Sequence, residues 1–492
     1  MGLDKQPEIS DASPRLFRLF INGAWVETSA RDELRSPYDN SLQGYVFQAG
    51  AREIDEAVEG CANAFRLTRE LSRGERAERL AAFAQAVAQR QEEIARAVTL
   101  TTGKPISYSR QEAARAAVVL DLAAEEAKRF GGAFEPLDHD LTRRFALGIV
   151  ERFPVGPVAA ITPFNFPVTL AVHKVGPALA VGNTVVLKPP PQCPQPALVL
   201  AECAAKAGFP PGSLNVVCAE PSVAERLVLD ERVRMVSFTG SAKVGWALKQ
   251  LAPRKRFCLE MGGNGGLIID EDVDVEYAAN RAARGAFIHA GQVCTSVQRI
   301  FVHRRVYGEF LRHFIAQTEK LKVGDPLDEA TIVGPMINEA AAERVMQWIM
   351  EAKDSGATIL TGARKEGNFV WPTVVEIATK EGHELKLWRE EVFGPVVTVE
   401  RIESFAEGLA LVNDSRYGLQ AGVFTENLER AFMAFRKLEV GAVIVGDTSL
   451  FRVDTYPFGG VKDSGFGREG VRYAMEAMTE PRALILNLRR QA

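Results

Sequence analysis

The chain has no CxxC pair, no HExxH and no other run at metal-ligand spacing, although it is 492 residues long. Its six cysteines stand singly at 61, 193, 203, 218, 258 and 294. That scatter excludes paired zinc spacing and speaks against a disulfide framework. No run of Lys and Arg exceeds three residues, and 59 basic against 63 acidic side chains leave a net charge of −4. Such a chain carries no basic field for nucleic acid or anionic lipid. The polar start MGLDKQPEIS lacks an apolar core, so no secretory signal is expected. Gln6 stands where N-myristoylation wants Ser or Thr. The longest uncharged stretch, 155–172, holds Pro157, Pro163, Asn165 and Pro167, a poor composition for a membrane helix. These absences point to a reducing cytoplasmic compartment, with neither membrane nor nucleic acid as a partner.

What is present is ordinary globular material. Hydrophobic residues make up 47% and charged residues 25%, and the length suits two to four domains. The first third reads as mostly helical. Ser72-Arg73-Gly74-Glu75 has the spacing of a capping box. Leu80, Phe83, Val87, Ile94 and Val98 follow at helical spacing until Gly103-Lys104-Pro105 ends that helix. A second helix is expected near 109–129 and a strand pair over 142–153. From 155 to 260, short apolar strands (158–161, 184–187, 214–218, 233–238, 257–260) alternate with helices (168–181, 197–207, 222–229, 244–251). Such alternation predicts a parallel sheet covered on both faces, with ligands at its carboxyl edge. A second alternating region runs from Gly265 to about Val461.

Several residues carry candidate chemistry. The run from Gly465 to Gly470 matches GxGxxG, but no strand is read before it. Only 22 residues follow, too few for a βαβ unit. Phe238-Thr239-Gly240-Ser241-Ala242-Lys243-Val244-Gly245 is a better phosphate seat. There a strand gives way to a helix whose free N–H groups suit a pyrophosphate. A plain N-cap by Ser241 is the alternative. Asn165, between Pro163 and Pro167, is either an oxyanion donor or the pivot of an Asx turn. Cys294, in Gly291-Gln292-Val293-Cys294-Thr295, is either a nucleophile or an inert buried thiol. Glu260, closing an apolar strand, is either a general base or a cap for the next turn.

Seven segments in order resemble the aldehyde dehydrogenase superfamily over about residues 20–480. They are PFNFP at 163–167, LKPP at 187–190, FTGS at 238–241, LEMGG at 259–263, GQVCT at 291–295, EEVFGPV at 390–396 and PFGGVKDSGFGRE at 457–469. The resemblance implies an α/β fold. It comprises a Rossmann-type parallel-sheet cofactor domain (1–138 with 154–262) and an α/β catalytic domain (263–465). A small β bridging element (139–153 with 466–492) would join subunits into dimers or tetramers. The resemblance also implies oxidation of an aldehyde to the acid with NAD or NADP and without a metal. Cys294 would be the nucleophile, Asn165 the oxyanion donor alongside the backbone N–H of Cys294, and Glu260 the base for the hydrolytic water. Gly240, Ser241 and Gly245 would hold the pyrophosphate, Lys188 would lie near the adenosine ribose, and Glu391 would hold the nicotinamide ribose with Phe393 beside it.

Three positions depart from the family's pattern. Pro191 replaces the Glu often found three residues after the ribose lysine. Asn264 replaces the Lys common after LEMGG. His173, one turn after Thr169, replaces the usual tunnel aromatic. Without that glutamate, a 2′-phosphate meets no like charge, so NADP is expected to be tolerated and weakly preferred. Alternatively, Pro191 only starts the next helix. Thr169, His173 and Arg452 make the tunnel polar. They imply a short polar or anionic aldehyde, as in the lactaldehyde, semialdehyde or non-phosphorylating glyceraldehyde-phosphate groups. His173 is alternatively a satisfied structural histidine, and Arg452 alternatively a partner for Asp454. Two further readings stand beside this one. One is a dehydrogenase passing its acyl group to coenzyme A, against which Glu260 speaks. The other is a non-catalytic binding or structural member.

Overall fold

The computed structural model describes residues 15–139 and 146–487. Its first sheet realises the alternation over 155–260. Arg256–Glu260, Met235–Thr239, Val158–Ile161, Val185–Lys188 and Leu214–Val216 run parallel in that order. Gly465–Phe466 closes one side antiparallel, and Leu19–Ile21 with Ala24–Val26 the other. The strands are mostly apolar because helices such as Thr169–Ala180 and Gln195–Lys206 bury them. Around them one apolar core gathers residues from Phe17 to Met261, and also Val471, Met475 and Met478 from near the chain's end.

A second core surrounds a seven-stranded sheet. Its order is Thr358–Thr361, Thr373–Glu376, Val396–Ile402, Val297–His303, Gly265–Ile269, Gln420–Phe424 and Ala442–Val445. Only the first of these runs antiparallel to its neighbour. A third, three-stranded antiparallel sheet joins Ala133–Pro136, Ala146–Pro154 and Thr479–Asn487. Phe134, Ile149, Leu484 and Ile485 stay exposed on it.

Three local expectations need correction. The capping box at Ser72 forms, with Ser72 Oγ accepting from Glu75 N at 3.2 Å and Glu75 Oε2 accepting from Ser72 N at 2.8 Å. The helix it starts, however, is two helices, Arg73–Ala88 and Gln91–Thr102. Val87 and Ile94 keep one phase across the break, so the apolar pattern runs through a kink it cannot register. Arg90 sits at the kink, tied to Glu93 and Glu202 at 2.8 and 2.7 Å. The next helix is Ile106–Arg129, begun three residues earlier than expected with Pro105 as its cap. In place of a strand pair over 142–153 there is one long strand, Ala146–Pro154, paired with Ala133–Pro136 just upstream and with the remote Thr479–Asn487. Residues 142–145 lie outside the described residues. Among the described residues, no helix is long and apolar enough to cross a membrane.

Candidate active site

Strand register gathers the candidate residues. In the first sheet Ile161 lies beside Lys188 and Phe238, and Thr239 beside Glu260, so four strands end at one edge. Asn165 follows the first of them, Lys188 ends the second, Gly240 and Ser241 follow the third, and Glu260 ends the fourth. The second sheet meets this edge with its amino ends. Cys294 precedes Val297–His303, while Glu391 and Phe393 precede Val396–Ile402. Among the hydrogen bonds that join the halves, Asn165 Nδ2 donates to Gln292 O at 2.9 Å, and Gly263 N donates to Glu391 Oε1 at 3.1 Å.

Cys294 leaves a strained turn. His289, Ala290 and Gly291 all have left-handed backbone, with φ of 50°, 54° and 65°. A Cβ on Gly291 would fall 2.1 Å from Gly394 O, so only glycine fits there. Gln292 stitches the turn down, its Oε1 accepting from Ile337 N at 2.9 Å. Strain held by surrounding contacts is common where a side chain must be aimed. Cys294 is partly exposed, whereas the other five cysteines are buried. Burial pushes its thiol up to about 12, reinforced by the Glu391 carboxylate and offset by Arg452.

Asn165 is buried, and its Oδ1 has no partner among the described residues, so it pivots no Asx turn. Its own carbonyl accepts from Lys104 Nζ at 3.1 Å. Lys104 is paired with Glu112 at 2.6 Å, both side chains being 1% exposed. Glu112 Oε1 in turn accepts from Val168 N and Thr169 N at 2.9 and 3.1 Å. This buried brace under Asn165 was missed from sequence. Its members are distant along the chain, and no local periodicity connects them.

Glu260 is 2% exposed, and neither carboxylate oxygen has a partner among the described residues, so it caps no turn. Burial raises its pKa well above the usual carboxylate range, and the nearby negative charge of Glu469 adds to that. Glu469 itself is held low, despite burial, by Lys174, whose Nζ lies 2.5 Å away. Two adjacent carboxylates thus diverge, one favouring its proton and the other its charge. Glu469 belongs to the GxGxxG run. That run is an edge strand followed by the seven-residue helix Val471–Ala477, so it is no dinucleotide loop.

On the substrate side, Asp454 does not pair with Arg452. It takes a fork from Arg115 at 2.6 and 3.0 Å and lies 3.0 Å from His173 Nε2. These partners hold its carboxyl low against the effect of burial. His173 is therefore tethered, with Nδ1 unpartnered among the described residues. Arg452 stacks 3.7 Å over the Phe458 ring, and its nearest carboxylate is Glu469 at 3.9 Å. Its buried Nε and Nη2 have no hydrogen-bond partner among the described residues. Thr169 is buried at the start of its helix and helps wall a cavity of about 420 Å³ with Tyr108, Phe166, Arg284, His289 and Thr448.

The cofactor candidates lie along the same edge. Ser241 does cap the helix Ala242–Leu251, its Oγ accepting from Val244 N at 3.4 Å. The cap leaves the helix end exposed. A Cβ on Gly245 would lie 2.4 Å from Met261 Sδ, which explains a glycine inside this helix. Lys188 is half-buried, and burial lowers its pKa. Burial pushes Glu391 up to about 7, opposed by the Gly263 N–H and Arg344. Phe393, at φ 46°, sets its ring edge-on to Phe164 at 6.0 Å. Pro191 lies in an exposed turn, and the following helix begins at Gln195 with Pro194 as its cap, so Pro191 does not start it. A lysine, a free helix end and a carboxylate along one sheet edge fit a dinucleotide, offering donors for phosphate and acceptors for ribose hydroxyls.

The model of the aldehyde dehydrogenase family matches residues 25–484. The chain is 42% identical to the 3-sulfolactaldehyde dehydrogenase of Priestia aryabhattai over 473 residues, 96% of this chain and 98% of that protein. Among solved structures, aldehyde dehydrogenase 21 from Physcomitrella patens, in complex with its reaction product succinate, superposes with a TM-score of 0.95. The identity is 38%, over 98% of this chain and all (100%) of that one. Glyceraldehyde-3-phosphate dehydrogenase GapN from Methanocaldococcus jannaschii, in complex with NADP, gives 0.89 at 34% identity, over 94% of this chain and 100% of that one.

Proposed function

The chain belongs to the aldehyde dehydrogenase family, and from that premise we propose that it takes a short anionic aldehyde, anchored by Arg452 while Cys294 attacks the carbonyl carbon. The reaction is the family's own, oxidation of an aldehyde to the carboxylic acid with NAD or NADP. One observation carries the substrate reading. Arg452 keeps two buried donors without a hydrogen-bond partner among the described residues, its nearest carboxylate being Glu469 at 3.9 Å, and its charge acts on Cys294. A guanidinium in that condition lacks the fork partner that a carboxylate, sulfonate or phosphate supplies. The relatives' names, with sulfolactaldehyde, succinate and glyceraldehyde 3-phosphate, support the same chemistry.

In this reading the thiolate of Cys294 adds to the aldehyde, and the oxyanion formed accepts hydrogen bonds from Asn165 Nδ2 and the backbone N–H of Cys294. Each such donor contributes about 2.7–4 kcal/mol to the transition state. The brace of Lys104 and Glu112 keeps the amide aimed. NAD or NADP, held by Gly240, Ser241, Gly245, Lys188 and Glu391, would supply the hydride acceptor, and Cys294 retains the acyl group as a thioester. Glu260, once ionised, takes a proton from the water that attacks this thioester. Because that carboxylate serves water, the free acid is the product rather than an acyl-coenzyme A.

Gly240, Ser241 and Gly245 form the pyrophosphate turn, Lys188 lies at the adenosine ribose, and Glu391 with Phe393 borders the nicotinamide ribose. An exposed proline at 191, beside Lys188, supports a weak preference for NADP. We read residues 1–138 with 154–262 as the cofactor domain, 263–465 as the catalytic domain, and the remainder as a bridge. The apolar side chains exposed on the three-stranded sheet support a homodimer or homotetramer built through that bridge. Six unpaired cysteines support a cytoplasmic location.

The test is formation of reduced cofactor with a panel of anionic, hydroxylated and alkyl aldehydes, with and without coenzyme A. Anionic substrates should lead in kcat/KM, and coenzyme A should change nothing. Cys294→Ser should abolish turnover while a fluorescence titration still shows cofactor binding. Hexanal or benzaldehyde as the best substrate would overturn the anionic reading.

A further inference from the structure

The cavity walled by Phe166 and Thr169 contains a feature that anion recognition does not use. His289 is fully buried, yet neither Nδ1 nor Nε2 has a hydrogen-bond partner among the described residues. A buried polar group left unpaired lowers stability, so its presence points to a partner that arrives with a ligand. The imidazole is held in place. Its ring stands edge-on to Phe166 at 6.5 Å, its backbone is left-handed, and its carbonyl accepts from Gln292 N at 3.1 Å in the turn leading to Cys294. Its position is therefore coupled to that of the thiol. Burial, reinforced by the charge of Lys104, keeps the ring neutral. A neutral imidazole has one N–H and one bare nitrogen, and a hydroxyl group can pair with either, accepting from the one or donating to the other. A carboxylate or sulfonate only accepts, and matches half of that set. Thr448 Oγ1, on the same cavity wall, is also buried and unpartnered among the described residues.

We infer that His289 selects for a hydroxyl group on the carbon chain of the aldehyde, hydrogen-bonding it inside this cavity while Arg452 independently holds the anionic end. The inference rests on the preceding reading, in which Thr169 and its neighbours border the substrate. It separates two chemical features of one substrate class and gives each its own residue.

Lactaldehyde and propanal isolate the hydroxyl, because neither carries a charge for Arg452 to hold. The wild-type enzyme should prefer lactaldehyde in kcat/KM by at least about tenfold. His289→Phe keeps a ring against Phe166 and should bring the two substrates within about threefold of each other. His289→Asn restores one donor and one acceptor on a residue tolerant of left-handed backbone, and should recover part of the preference. In both variants the advantage of succinate semialdehyde over butanal, which belongs to Arg452, should persist. If the wild type shows no preference for lactaldehyde, or if both variants retain it in full, the inference is wrong. If only His289→Asn folds, it must fall between the wild type and parity, and an undiminished preference there also overturns the idea. Loss of the anion advantage in the wild type would instead count against the reading of Arg452 and leave the hydroxyl comparison to be judged alone.

Discussion

Replacing Arg452 by Met separates substrate recognition from chemistry. The guanidinium side chain is 12% exposed, stacks on Phe458 at 3.7 Å, and offers Nε and Nη2 without partners among the described residues. A substrate anion entering there gains charge-assisted hydrogen bonds in a largely dry site. Removing one member of such a pair typically costs about 2–5 kcal/mol. Taking about 3 kcal/mol, Arg452→Met should lower kcat/KM for succinate semialdehyde roughly 150-fold. Methionine retains apolar contact with Phe458. Arg452 also eases ionisation of Cys294 and Glu260, so its loss should slow every substrate. The diagnostic quantity is therefore the ratio of kcat/KM for succinate semialdehyde to that for butanal, followed by absorbance of the reduced cofactor. It should collapse by about two orders of magnitude, and Arg452→Lys, a point charge without a fork, should give an intermediate value. Because the pair is mostly buried, added salt should change the ratio little. A ratio unchanged by Arg452→Met would refute the assignment.

Glu260→Gln should slow steady turnover yet keep a pre-steady-state burst of reduced cofactor, since acylation does not need the base that deacylation does. The raised pKa values of Glu260 and Cys294 place the active, deprotonated forms on the alkaline side, so activity should climb as pH rises from neutrality. Glu469→Gln removes the negative charge that helps raise Glu260, so this limb should move to lower pH, and a pH–rate profile reads it directly. Lys104→Met leaves Glu112 buried without its cation and should lower unfolding free energy by about 3–5 kcal/mol, measured by urea denaturation. Arg96→Ala, which breaks an exposed pair with Glu92, should stay below about 1 kcal/mol. Pro191→Glu should move the NADP-to-NAD ratio of kcat/KM towards NAD by at least about tenfold, or about 1.4 kcal/mol. A wild type that strongly prefers NAD and ignores this change would show that other residues choose the cofactor.

The five strands between 155 and 260 could be read because each is a short apolar run set between helical patterns, a signal contained in a few consecutive residues. Their parallel order also makes the carboxyl edge a ligand edge, so Asn165, Lys188, Ser241 and Glu260 were legible as a group before any coordinates. The alternatives attached to them were a different matter. Whether Asn165 pivots a turn, Glu260 caps one, or Arg452 pairs with Asp454 depends on partners the local sequence does not name. Arg115 claims Asp454 from 339 positions away, and Lys174 claims Glu469 from 295. Contacts of that span are set by how helices seat on the sheet, and no periodicity records them. The same holds for His289. In sequence it is one residue of a helix end; only the left-handed turn and the packing of Phe166 strip it of partners and turn it towards a cavity. Local patterns of apolarity and turn chemistry determined the elements and the order of the motifs. Tertiary packing decided which charges are paired, which stay unpaired and dry, and therefore which of them remain free to act on a substrate.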